Sequence, residues 1–334
     1  MRGNEVTQPT KNGITGTTIK IIALISMAID HFTVFILEGY LRTLDPQYAT
    51  LGSKSPNLNY DDGTMQLQIV ISILHLIGRL AFPLFIFLLI EGFKHTGNVK
   101  KYATRLFAFA LISQLPYNLM HGGLLHFEKL NIFSTLFMGL LCIYCINELA
   151  EKRQWSDKLI PLYYISSILL GAYLVWLFLQ NKSIPATRQV PVTQVLILAA
   201  VAGVMALIII IRMGLRLDSG AKNRFTFTVL PIIVFGVVSN FIKVEYGVYG
   251  VMAIVVMYLF YENKVRGYVL SVVTLTVYIF NELAAVLAIP LIDRYNGERG
   301  MKINKYFFYI FYPAHILILY LIALALGFTT FSLF

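Results

Sequence analysis

A chain of 334 residues is long enough for one to three soluble domains. However, 57% of its residues are apolar or aromatic and only 13% are charged, with a mean hydropathy of +0.71. An average globular chain carries about 25% charged residues, so a soluble surface of ordinary polarity is excluded. Two cysteines rule out a disulfide scaffold and 23 glycines rule out collagen. The net charge of +10 falls in short clusters between apolar runs, which is the pattern of membrane loops and not of nucleic-acid binding.

The fold class read from this is an all-α polytopic integral membrane protein, a bundle of nine or ten transmembrane helices with one element read as re-entrant if the count is nine. Residues 1–17 form a short polar N-terminal segment, and 18–334 form a single transmembrane domain. No secretory signal with a small-residue cleavage site is visible, so the first apolar run reads as an uncleaved anchor. Spans of about 20 residues are expected near 18–38, 68–93, 104–120, 131–150, 158–180, 193–214, 226–243, 246–261, 267–289 and 306–327. The longest loop, 39–67, is polar and holds Pro46, Pro56, Asp61, Asp62 and Gly63. Cys142 and Cys145 lie inside an apolar run and read as small helix residues, not as a metal or redox pair.

Positive loops point to a cytoplasmic N-terminus: Lys11 and Lys20, then Lys94, Lys100, Lys101 and Arg105, then Lys152, Arg153 and Lys158, then Arg212 to Arg224, then Lys264 and Arg266. The loop 293–305, with Arg294, Arg299, Lys302 and Lys305, would fall outside if all ten spans crossed. Either the rule fails there or one span is re-entrant. The short pair 226–243 and 246–261, broken by Lys243-Val-Glu-Tyr-Gly, is the expected re-entrant element.

Ionisable groups inside the bilayer cost roughly 2.5–3.5 kcal/mol each on insertion scales, so they mark sites. Here they are Asp30 and His31 in the first span, His75, Arg79 and Glu91 in the second, Glu245 at the seventh–eighth break, Glu282 in the ninth and His315 in the last. Gln114, Asn118, Asn131, Asn240 and Asn281 add buried amides. Lys20 and His31, eleven residues apart, share one helix face within about 20° and lie about 16 Å apart along the axis. His75 and Arg79 are an i,i+4 pair. The first two spans run in opposite directions, so an Asp30–Arg79 pair is expected, serving either a site or helix register. His31 and His315 read as site residues or as satisfied core histidines. His95, His121 and His126 read as edge residues, and Tyr306–Tyr312 as interfacial aromatics. A neutral imidazole in a dry site suits a general base, and basic residues at the cytoplasmic mouth suit a phosphorylated donor. The residues point to group transfer without naming the group.

Seven segments resemble the TraX family of membrane proteins, named for a conjugative-pilin acetylase. They are Ile22–His31 (IALISMAIDH), Gly78–Gly92 (GRLAFPLFIFLLIEG), Tyr102–Leu106 (YATRL), Asn131–Leu141, Gly247–Val251 (GVYGV), Tyr295–Gly300 (YNGERG) and Phe308–Tyr320 (FYIFYPAHILILY), spread over nearly the whole chain. The wider group resembles the transmembrane acyltransferases, in some of which a basic residue and a histidine spaced like Lys20 and His31 mark the first catalytic helix.

This resemblance implies a membrane-embedded N- or O-acetyltransferase of a bacterial-type cytoplasmic membrane. Acetyl-CoA would be its cytoplasmic donor, no metal would be involved, and the acceptor amine or hydroxyl would come from the other side: a peptide N-terminus, a glycan or a small amine. It implies His31, Asp30 and Arg79 as catalytic, and Lys20, Lys101, Arg105 and Arg299 as donor-binding. Glu91, Asn131, Glu245, Tyr312 and His315 are implied as further site residues. A transporter or flippase for a polar or anionic solute is the alternative, because broken helices and midplane charges also mark transport sites. A third reading is a non-catalytic partner in a membrane complex.

Overall fold

The computed structural model describes residues 12–44, 62–180 and 208–333. Most of the segment 1–17, the centre of the loop 39–67 with Pro46, Pro56 and Asp61, and most of the expected span 193–214 lie outside the described residues. Twelve helices are labelled in chain order: α1 (Gly16–Phe32), α2 (Glu38–Leu44), α3 (Asp62–Gly78), α4 (Ala81–His95), α5 (Val99–Met120), α6 (Ile132–Ile146), α7 (Pro161–Gln180), α8 (Ser219–Phe241), α9 (Gly247–Leu259), α10 (Lys264–Tyr278), α11 (Ile289–Asp293) and α12 (Lys305–Ala325). A further helical stretch covers 208–216. Among the described residues, five stretches are long and apolar enough to cross a membrane: Gly16–Leu44, Gly63–His95, Ile132–Glu151, Ser219–Phe241 and Tyr306–Ala325. The expected all-helical membrane architecture is therefore what the chain adopts.

Short polar side chains start the helices by accepting from the first free backbone N–H groups. Thr15 caps α1, Asn98 caps α5, Asn131 caps α6, Asp218 caps α8 and Asn263 caps α10. α4, α6 and α9 supply the centre, where Leu84, Phe87, Ile90, Leu140, Ile143 and Ile254 are buried. α3, α5 and α8 turn apolar side chains outward, among them Ile73, Leu111, Ile112 and Val234. In water such a surface would be a large exposed patch, whereas in lipid it is at rest.

Two backbone ladders define the ends of the bundle. At the end where α1 begins, Ile14 N–H donates to Arg294 O (2.8 Å), Gly16 N–H to Glu298 O (2.8 Å) and Thr17 N–H to Arg299 O (2.9 Å). At the far end, Leu130 N–H donates to Lys243 O (3.0 Å) and Leu125 N–H to Leu333 O (2.8 Å). The basic loop 293–305 thus sits beside the start of α1.

The cause is a doubling back within the expected ninth span. α10 stops at Tyr278, and a 3₁₀ helix, Phe280–Ala288, returns along it into α11. The Tyr268 hydroxyl clamps the return by donating to Ala285 O at 3.0 Å. The expected re-entrant element, the break at Lys243–Gly247, is instead an end turn joining α8 to α9, held by the bridge between Leu130 and Val244. Hydropathy could not distinguish the two, because 267–289 is mostly apolar on both sides of the turn, with Asn281 and Glu282 as its polar interruption.

Candidate functional site

A cavity of about 540 Å³ runs from Arg299 and Gly297, in the loop beside α1, inward to Met27, Phe133 and Tyr312. Its mouth carries Lys20, Arg105 and Arg299. Among the described residues no carboxylate comes within 4 Å of any of the three. Lys20 lies 5.4 Å from the Phe308 ring and Arg105 lies 5.8 Å from Tyr102. The Nε of Arg105 is buried with no hydrogen-bond partner. The three cations thus line one mouth with no carboxylate beside them to offset their charge, and Arg105 hydrogen-bonds Tyr309. Deeper in, the walls are apolar and aromatic, with Leu24, Leu88, Phe85 and Leu136. Lys101, expected at the mouth, does not line the cavity; it is exposed in the first turn of α5, where its backbone N–H is capped by Asn98.

Glu91 also lines this cavity, but its carboxylate is fully engaged. It accepts from the Tyr261 hydroxyl at 2.8 Å and the Tyr295 hydroxyl at 2.9 Å. His95 Nε2 lies at 3.5 Å and Lys264 Nζ at 3.8 Å. The residue ties α4 to the α9–α10 turn and to the loop carrying Arg299. Burial, together with the neighbouring Glu91 charge, pushes the Tyr295 and Tyr261 hydroxyls above their ordinary range. Asn131 is likewise committed to the fold: fully buried, it caps α6 and donates to Ala110 O (2.7 Å) and Gln114 Oε1 (2.8 Å).

Beyond the inner end of the cavity stands His31. It does not line the cavity itself. The Tyr312 ring, 6.2 Å from its own, and Met27 one turn earlier close the cavity in front of it. His31 Nδ1 lies 2.7 Å from His315 Nε2, and the two rings are nearly parallel. His315 Nδ1 lies 2.7 Å from the Phe311 carbonyl, to which it donates. Immediately past this pair the first helix loosens into a π-turn, Thr33–Leu37, a feature frequent at functional sites.

Asp30 pairs with His75, not with Arg79. Its Oδ1 lies 2.8 Å from His75 Nδ1, while His75 Nε2 lies 3.1 Å from Glu38 Oε1. Arg79 Nη1 donates instead to Glu282 Oε1 at 3.3 Å, and the Tyr246 hydroxyl donates to the same oxygen at 3.0 Å. The expected partner was wrong because α3 ends at Gly78. Arg79 lies in the break before α4 and turns toward the returning 3₁₀ helix. Glu282 is fully buried, and its second carboxylate oxygen has no hydrogen-bond partner. Glu245 Oε2 is also buried and without one.

The structure thus gathers Lys20, Arg105, Arg299 and Tyr312 on one cavity, with His31 and His315 behind Tyr312. Glu282, already marked as an ionisable group in the ninth span, joins the polar centre, and Glu38 and Tyr246 join it without having been expected there. The i,i+4 spacing of Glu38 and Arg42, which form an ion pair at 3.7 Å, was the one visible signal for this extension.

The family model described as TraX protein matches this chain over residues 15–216 and 204–323. A probable fimbrial assembly protein FimC, serogroup H1, of Dichelobacter nodosus is 31% identical over 102 residues, or 30% of this chain and 31% of that protein. The match spans under a third of that relative's length. No solved structure matches the chain. With the family match running through nearly every described helix, the chain belongs to the TraX family.

Proposed function

We propose that this protein is a membrane acetyltransferase that takes an acetyl group from acetyl-CoA at the end where α1 begins and passes it to an amine or hydroxyl presented from the other end. One observation carries the reading: three cations without carboxylate partners crown an apolar-walled cavity whose inner end is the tyrosine packed against His31. A donor with a phosphate-rich head and a long, weakly polar arm matches that order of surfaces. The association of the TraX family with pilin acetylation supports the same class of chemistry. The basic loops gathered at this end support reading it as the cytoplasmic end, where acetyl-CoA is found.

In this reading Lys20, Arg105 and Arg299 hold the donor phosphates, and the arm lies along Leu24, Leu88 and Leu136. The Tyr312 ring turns aside to let the thioester reach His31. His31 takes the acceptor proton as the acceptor lone pair attacks the carbonyl carbon. The new C–N or C–O bond forms, the C–S bond breaks, and the departing thiolate receives the proton from the imidazole. Arg79 and Asp30 set the polar surroundings of this step rather than facing each other.

The test is transfer by purified protein in proteoliposomes supplied with labelled acetyl-CoA and a panel of amine and hydroxyl acceptors. Acetylated product with wild-type protein, and none with His31→Ala that still binds donor, is the expected result. Wild-type transfer by His31→Ala would overturn the assignment. Movement of an intact solute with no acetylated product would favour the transporter reading.

A further inference from the structure

We infer that His315 is the positioning residue of the reaction: it fixes the tautomer of His31 so that Nε2 carries the lone pair. The inference rests on the proposed role of His31 as the base, and it adds which nitrogen acts and what dictates that choice.

A carbonyl oxygen can only accept a hydrogen bond. His315 Nδ1, 2.7 Å from Phe311 O, must therefore carry hydrogen. In a neutral imidazole the other nitrogen is then an acceptor. That nitrogen, His315 Nε2, lies 2.7 Å from His31 Nδ1. Two lone pairs do not meet at this distance, so His31 Nδ1 carries the proton. The remaining nitrogen of His31, Nε2, is left with its lone pair and has no hydrogen-bond partner among the described residues. The chain of donors thus runs from His31 through His315 to the Phe311 carbonyl, and the end facing away from it is a base.

Neutrality of the pair follows from its surroundings. Among the described residues no carboxylate lies within 4 Å of either imidazole. Asp30, adjacent in sequence to His31, is turned toward His75. The usual orienter of a catalytic imidazole, a carboxylate on Nδ1, is replaced here by a second imidazole anchored to the backbone. Anchoring is firm because Phe311 and His315 are one turn apart on α12, and the two rings stack at 4.9 Å. When His31 gains the acceptor proton at Nε2, its Nδ1–H still points at His315 Nε2. The positive charge is then shared through a short hydrogen bond without a second proton transfer.

The experiment uses full-length protein with ¹⁵N-labelled histidine, reading the His31 tautomer by NMR and acetyl transfer in parallel. The wild type is expected to show His31 protonated at Nδ1 only. His315→Ala is expected to lose that single tautomer and about 100-fold in kcat, with the KM for donor unchanged. His315→Gln, whose amide oxygen can accept from Nδ1–H, should restore both the tautomer and most of the rate. An Nδ1–H tautomer that persists in His315→Ala, or unchanged transfer by that variant while His31→Ala is dead, overturns the inference. Unchanged transfer by His31→Ala would instead bring down the base assignment, and this inference with it.

Discussion

Asp30 and His75 meet at 2.8 Å across α1 and α3, and the glycine that ends α3 is what lets them. His75 in turn reaches Glu38 beyond the π-turn at 3.1 Å. One imidazole between two carboxylates therefore pins the C-terminal end of α1 and the start of α2 to α3, on either side of the segment that bears His31. Removing one partner of a partly buried charged pair leaves the other uncompensated. His75→Ala should cost about 3 kcal/mol of stability, read by thermal unfolding in detergent. A double-mutant cycle should give a larger coupling for Asp30–His75 than for Asp30–Arg79. The reverse order would contradict the pairing.

Gly78 gives a prediction of unusual sign. A Cβ at this position would overlap the Asp30 carboxylate. Gly→Ala within a helix normally stabilises by roughly 0.5–1 kcal/mol. Here Gly78→Ala should instead destabilise by roughly 1–3 kcal/mol, since α1 and α3 must separate. Asp30→Ala in the same chain should relieve part of that loss, and equilibrium unfolding of the three variants measures it.

The mouth of the cavity predicts donor affinity. On the proposed reading, each of Lys20→Ala, Arg105→Ala and Arg299→Ala removes a charge-assisted contact to the donor worth about 1.5–3 kcal/mol. Each should raise the acetyl-CoA Kd roughly ten- to a hundredfold, more so at low salt than at high salt. Lys101→Ala, outside the cavity, should leave Kd within about twofold. Titration calorimetry at two ionic strengths separates these outcomes, and an effect of Lys101→Ala equal to that of Arg105→Ala would contradict the site.

Much of this was visible in the sequence, and the failures have identifiable causes. Apolar runs marked most of the helices because a lipid-facing helix must be apolar along about 20 residues. Of the four basic residues grouped from the sequence, Lys20, Arg105 and Arg299 line one cavity and Lys101 does not, and the charge excess of the loop 293–305 drew attention to the stretch where α10 stops and the chain doubles back. The turn at Ile279 was invisible, since the 3₁₀ helix after it is as apolar as the helix before it. The contact between His31 and His315 joins residues 284 apart, and no local spacing reports such a pair. Asp30 drew the wrong partner because His75 and Arg79 share a face on paper, while the chain breaks between them and only one remains on α3.

Alkaline pH should weaken the loop beside the cavity. Tyr295 donates to Glu91, and burial with that charge raises its hydroxyl above the ordinary value of 10.0. The folded state therefore keeps this proton after the unfolded chain has released it. The stabilising contribution is whole below pH about 10 and is lost as pH rises beyond it. Tm followed through this range should fall less steeply for Tyr295→Phe than for wild type. Parallel curves would show that the Tyr295–Glu91 contact is not linked to stability.

The most direct measurement is a structure of the protein with a non-hydrolysable acetyl-CoA analogue. Phosphate density against Lys20, Arg105 and Arg299, with the thioether end at Tyr312 and that ring turned away from His31, is the predicted result. An analogue bound elsewhere, or a cavity filled by lipid while the analogue is in excess, would contradict the account.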